Sequence, residues 1–122
     1  MLNLNSILVF SENPERLRDF YEKVFDRKPD MSEGGYYGFL VGQCFINFGP
    51  HDKVKGKNQY PERIMLNFET TDVRAEFERI KGLGAEVIAE PYQMGEMPGW
   101  IATFADPDGN FFQLMTPWEG ES

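Results

Sequence analysis

The chain has 122 residues, 41% of them hydrophobic and 15% aromatic, which is one domain's length and enough to bury a core without disulfides or a structural metal. Twelve basic residues against twenty acidic ones leave a net charge of −8, a balance that opposes nucleic acid and anionic membrane surfaces; it serves solubility first, with a preference for cationic ligands as the alternative. Cys44 is the single cysteine, so no intrachain disulfide can form. With no charged-then-apolar leader at Met1–Asn5 and no apolar run near the ~20 residues that span a bilayer, the expected location is the reducing cytoplasm.

Residues 3–10 read as a strand, with Ile7 and Val9 alternating against Ser6, Leu8 and Phe10. Asn13-Pro14 opens a helix, because Asn accepts hydrogen bonds from free amides of the first turn and Pro fits its first position. Leu17, Phe20, Tyr21, Val24 and Phe25 form one apolar stripe, and the helix must end before Pro29. After Gly34-Gly35, the segments Tyr36–Val41 and Cys44–Phe48 flank Gly42-Gln43, which suits a tight two-residue hairpin turn. Such a turn sets Leu40 opposite Phe45 and Gly38 opposite Asn47, with Phe39, Cys44, Ile46 and Phe48 on the other face.

Residues 49–62 are polar and lack periodicity, and 51–62 serve as the connector between repeats of about 1–50 and 63–117. His51, the sole histidine, reads as a solvated residue of this connector. The pattern then restarts. Residues 63–69 form a strand with Ile64, Leu66 and Phe68 on one face and Met65, Asn67 and Glu69 on the other. Thr71-Asp72 caps a helix whose stripe is Val73, Phe77, Ile80 and Leu83, with Gly84 as its stop. Ala85–Ala89 is a short strand and 91–98 a loop carrying Met94 and Met97. A closing hairpin joins Trp100–Phe104 to Phe111–Met115 through the turn at 106–110, where Asp106 and Asp108 serve turn chemistry and not acid catalysis.

Ser6 and Met65, and likewise Asn13 and Asp72, are related by an offset of 59, so the chain is an internal repeat. Each half is strand, helix, then three strands. The expected fold is α+β: two βαβββ modules forming a curved mixed sheet around a cleft, one face of each half packed on its helix.

Phe20-Tyr21 on the first helix, the run from Phe68 to Val87, and the turn Phe104–Asn110 resemble the vicinal oxygen chelate superfamily. That superfamily includes glyoxalase I, extradiol dioxygenases, fosfomycin resistance enzymes and bleomycin resistance proteins, and the similarity covers nearly the whole chain. It implies the glyoxalase/bleomycin resistance-like fold, commonly as a homodimer, and, in the enzymes, a divalent metal held by His and Glu on the cleft-facing strands. Carried onto this chain, those metal positions fall on Ser6, Asn47, Met65 and Gln113. Neutral hydroxyl, amide and thioether groups there are poor ligands for Zn, Fe, Ni or Mn, so no metal and no other cofactor is expected.

Alternation along the strands then names the cleft set: Ser6, Leu8, Phe10, Tyr36, Leu40, Phe45 and Asn47 from the first half, and Met65, Asn67, Glu69, Gln113 and Met115 from the second. Trp100 stands at the mouth of the closing hairpin, its facing dependent on the turn length. The set is apolar with a few orienting amides, as small-molecule sites are. It points to a protein that binds or sequesters an aromatic or amphipathic ligand, as bleomycin resistance proteins do. A metal-dependent lyase or dioxygenase with unorthodox ligands is the alternative, as is a metal-free isomerase whose base is Glu69, made more basic by burial. A structural dimer without ligand is a further one. Neither Cys44 nor Ser6 has a base to activate it as a nucleophile.

Overall fold

The computed structural model describes residues 1–93, 95, 96 and 98–117; Met94 and Met97 lie outside the described residues. The chain divides into two compact units, Met1–Lys57 and Asn58–Ser122, with the boundary inside the expected connector. The connector's hydrogen bonds divide the same way. The Gly56 N–H donates to Glu12 Oε1 at 3.0 Å, and the Asn58 N–H to the Asp108 carbonyl at 2.8 Å.

The first unit runs β1 (Ser6–Ser11), α1 (Pro14–Phe25), β2 (Met31–Glu33), β3 (Tyr36–Val41) and β4 (Cys44–Pro50). The second runs β5 (Leu66–Glu69), α2 (Val73–Gly82), β6 (Glu86–Tyr92), β7 (Ile101–Ala105) and β8 (Phe111–Met115). Sheet orders are β1-β4-β3-β2 and β5-β8-β7-β6, the same topology twice, with β1 parallel to β4 and β5 parallel to β8. No helix among the described residues is long and apolar enough to cross a membrane.

Both helices start by one device. Asn13 Oδ1 accepts the Arg16 N–H at 3.2 Å and Asp72 Oδ1 the Ala75 N–H at 3.0 Å, each satisfying an amide that has no partner within the helix. Two residues earlier, Ser11 Oγ and Thr70 Oγ1 accept the N–H of Asn13 and Asp72. The repeat therefore extends to its hydrogen bonds.

Each unit packs its helix on one sheet face. Leu17, Tyr21 and Val24 of α1 are buried with Phe39, Ile46 and Phe48, and the Tyr21 and Phe48 rings stack at 4.8 Å. Val73, Phe77 and Ile80 of α2 are buried with Ala102, Phe104, Phe112 and Leu114, and Phe77 stacks on Phe104 at 5.2 Å. Burying a side chain of this size contributes about 1.5–3 kcal/mol, so these two aromatic clusters are the main apolar stabilisation of each unit.

Several sequence expectations need correction. β5 begins at Leu66, so Ile64 precedes the strand and is exposed instead of facing the core. Leu83 follows the last turn of α2 as its C-cap, and its side chain lies outside the buried stripe. β6 continues through Tyr92, because two register shifts against β7, between Val87 and Ala89 and between Ala89 and Tyr92, let the strand pass Pro91.

Candidate functional site

The face of each sheet turned away from its helix carries most of the expected binding residues. In the first unit, β3 pairs with β4 in the register that the Gly42-Gln43 turn dictates: Leu40 opposite Phe45 and Gly38 opposite Asn47. On its other side β4 runs beside β1, with Ser6, Leu8 and Phe10 next to Phe45, Asn47 and Gly49. Ser6, Leu8, Phe10, Tyr36, Leu40, Phe45 and Asn47 thus share one open face. Leu8 and Leu40 are 56% and 46% exposed there, a large exposure for leucine.

Two glycines shape that face. A Cβ built on Gly38 would lie 2.3 Å from Phe45 Cζ, and one on Gly49 would lie 2.2 Å from Tyr36 Cε2. The rings of Phe45 and Tyr36 therefore lie in the space that side chains at 38 and 49 would occupy, and both glycines are neighbours of Asn47, one across the sheet and one along β4. Aromatic rings covering sheet glycines in this way hold both their own position and the strand register. Phe10 meets the Tyr36 ring edge-on, centroids 6.5 Å apart, and on its other side meets the His51 imidazole at 5.2 Å.

His51 is exposed in the connector, as its place in a polar stretch implies, and in addition makes a ring contact that the sequence does not announce. Its ring packs edge-on against Phe10 at one end of the open face, and its Nδ1 accepts the Lys53 N–H at 3.1 Å. No periodicity points to this contact, since His51 lies in a polar stretch beyond the strand.

Asn47 neighbours both of those glycines. Its Oδ1 is shielded from solvent and receives no hydrogen bond. A buried acceptor without a donor costs about 1–3 kcal/mol, and such atoms are few in a folded chain.

In the second unit, Asn67 and Glu69 of β5 lie beside Gln113 and Met115 of β8, all on the open face. The Gln113 side-chain amide donates to Thr103 Oγ1 across the β7–β8 ladder at 3.2 Å. Thr103 was not among the expected site residues, because its facing depends on the hairpin turn. That turn is short: the Asp106 N–H donates to the Asn110 carbonyl, leaving residues 107–109 as the loop, with Gly109 at φ +80°. Asp106 Oδ1 accepts the N–H groups of Asp108 and Asn110 at 2.9 and 3.0 Å, and its Oδ2 accepts from the Asn110 side chain at 3.1 Å.

Two members of the second-half set, Trp100 and Met65, are placed otherwise than expected, and Glu69, though on the open face, is not buried. Trp100 pairs with Thr116 one residue beyond Ile101 and Met115, which turns its ring to the helix side. There the Arg74 guanidinium lies 4.1 Å from the ring centroid. Met65 lies before β5 begins, so strand alternation no longer assigns it a face. Glu69 ends β5 and is exposed, so the burial that was to make it a base is missing.

At the positions where the resemblance places metal ligands, the side chains are Ser6, Asn47, Met65 and Gln113. Among the described residues no group of three or more His, Cys, Asp or Glu side chains is placed to hold a metal ion.

The sequence profile of the Glyoxalase/Bleomycin resistance protein/Dioxygenase superfamily matches residues 3–114. The chain belongs to this superfamily. It is 30% identical over 118 residues to the uncharacterized protein YetH of Bacillus subtilis (strain 168), an alignment covering 91% of this chain and 95% of that one. Among solved structures, the fosfomycin resistance protein FosX of Listeria monocytogenes superposes with a TM-score of 0.78 at 20% identity, covering 98% of this chain and 96% of that one. A glyoxalase/bleomycin resistance protein/dioxygenase family enzyme of Burkholderia phytofirmans PsJN gives 0.76 at 20% identity, covering 94% and 98%. A variant of the Listeria FosX, solved with Mn(II) and 1S,2S-dihydroxypropylphosphonic acid, gives 0.74 at 21% identity, covering 98% and 93%. The superfamily's fold is thus present as two βαβββ modules.

Proposed function

We propose that this chain binds a small planar aromatic or amphipathic molecule on its open β-faces and does so without a divalent metal. The observation that carries this reading is the seating of the Phe45 and Tyr36 rings on Gly38 and Gly49 around Asn47. Flat apolar surface with a central amide is what stacking and orienting a flat ligand require. Exposed Leu8 and Leu40 extend the apolar area, and the net charge of −8 favours a cationic ligand.

The donor chemistry supports metal independence. A hydroxyl, two amides and a thioether are not the imidazole and carboxylate set that first-row divalent ions select. Binding and sequestration therefore suit these residues better than lyase or dioxygenase chemistry.

A thermal-shift measurement with the planar cation proflavine, on protein purified without chelators and again after EDTA, tests the reading. At 100 times Kd, linkage stabilises the folded state by about 2.7 kcal/mol. For a chain of this length that raises Tm by about 10 °C. The shift is expected to be the same in both samples, with elemental analysis finding no stoichiometric Mn, Fe, Ni or Zn. A shift that appears only with metal added back would overturn metal independence, and no shift in either sample would overturn the binding reading.

A further inference from the structure

Resting on that binding reading, we infer that the ligand presents an N–H donor to Asn47, so that the first unit's open face selects planar aromatic amines over equally flat molecules without such a donor. Asn47 occupies the centre of its face. Along β4 it stands between Phe45 and Gly49, and across the sheet between Leu8 of β1 and Gly38 of β3. Gly38 has no side chain, and the tip of the Phe45 ring fills its place. The amide is thus walled by rings, and its Oδ1 has neither water access nor a donor.

Such an acceptor is a stored cost of folding, and the group that removes it gains what folding left unmade. Leu8 and Phe45, beside Asn47 on this face, carry no side-chain N–H or O–H, and the Tyr36 hydroxyl, whose ring lies over Gly49, makes no hydrogen bond to Asn47 Oδ1. Leu8, beside Asn47 on β1, is exposed, so its side chain can move aside for an entering ring while Phe45 keeps its seat on Gly38. A flat ligand stacked there that directs an N–H inward pairs the oxygen, and a flat ligand without a donor covers it again. Sites that pair a buried polar group discriminate sharply against analogues lacking the complementary group, because the site's own atom is left unpaired. An acidic chain further favours donors that carry positive charge, whose hydrogen bonds are the stronger ones.

Two probes share ring system and charge and differ in donors: proflavine, with aryl N–H groups, and 10-methylacridinium, with none. Fluorescence titration of the full chain with each is expected to give proflavine about a tenfold lower Kd, the ratio that corresponds to about 1.4 kcal/mol. Asn47→Leu, close in volume and without an acceptor, is expected to bring the two Kd values together, and circular dichroism of that variant reports whether it is folded. Asn47→Asp, which keeps the acceptor and adds charge, is expected to keep or widen the preference, so the test does not depend on one variant folding. Equal affinities for the two probes in the unaltered chain, or a preference for 10-methylacridinium, overturn the Asn47 inference while leaving aromatic binding intact. Failure of both probes to bind overturns the binding reading itself.

Discussion

Gly38→Ala probes the aromatic platform directly. The new Cβ would sit 2.3 Å from Phe45 Cζ and 2.6 Å from Cε2, closer than any real contact, so the ring must leave its seat. Phe45 is partly buried, and overpacking of this kind costs about 1–3 kcal/mol. Replacing a strand glycine with alanine returns about 0.5–1 kcal/mol through the unfolded state, since residue 38 is not at positive φ. The net destabilisation is about 1 kcal/mol. With an unfolding entropy of about 2.1 cal/mol/K per residue, that lowers Tm by about 4 °C. The decisive assay is a double-mutant cycle with Phe45→Ala, followed by calorimetry. Once the ring is gone, Gly38→Ala should be neutral or slightly stabilising, giving a coupling of about 1–3 kcal/mol. If Gly38→Ala costs the same with and without Phe45, the ring does not rest on this glycine and the platform argument fails.

Asp30→Asn should destabilise the first unit near neutral pH and have no effect in acid. The Asp30 carboxylate accepts the Leu40 N–H at 2.7 Å and pairs with Arg27, whose other nitrogen donates to the Leu40 carbonyl at 2.6 Å. The backbone N–H of Leu40 is the main reason its pKa lies below the ordinary 3.8; Arg27 adds to it and desolvation opposes it. A depressed carboxylate contributes stability that is complete above 3.8 and is lost as pH falls through the lower folded value. Tm measured against pH for both proteins should therefore converge in acid, and a constant gap would refute the assignment. Asp106→Ala removes the acceptor for two backbone amides and the Asn110 side chain in the closing turn. It should cost about 2–4 kcal/mol in denaturant unfolding, and a change under 0.5 kcal/mol would show that the turn does not depend on this carboxylate. Arg74→Ala removes the cation over the Trp100 ring and should cost about 0.5–1 kcal/mol; a matching loss in a Trp100→Leu background, which has no aromatic face, would count against that contact.

Local rules were sufficient for much of the fold. Asn13 and Asp72 cap their helices as their residue type and position imply, and the turn at Gly42-Gln43 sets a hairpin register that carries Tyr36, Leu40, Phe45 and Asn47 onto one face, where β1 adds Ser6, Leu8 and Phe10. What escaped a reading of the sequence depends on longer-range or smaller causes. β2 has three residues, Met31–Glu33, too few to show alternation, and it forms by pairing with β3 at the sheet edge. The facing of Trp100 follows from a three-residue loop whose length Asp106-Pro107-Asp108-Gly109-Asn110 does not declare, because Asp106 and Asn110 can be either strand or turn. The contact of His51 with Phe10 joins a connector residue to a strand end, where no period applies. The seats of Phe45 and Tyr36 have a faint signal, glycine inside a strand pattern, which marks a close approach without naming what approaches.

If a flat ligand binds the aromatic face around Asn47 with no metal required, an amide NMR titration of the EDTA-treated full chain with proflavine gives saturable shifts at the backbone amides of Gly38, Asn47 and Gly49. Those shifts stay the same when Zn(II) or Mn(II) is added to the buffer. Saturable shifts that leave all three amides unmoved, or binding that returns only when metal is restored, would contradict metal-free binding at this face.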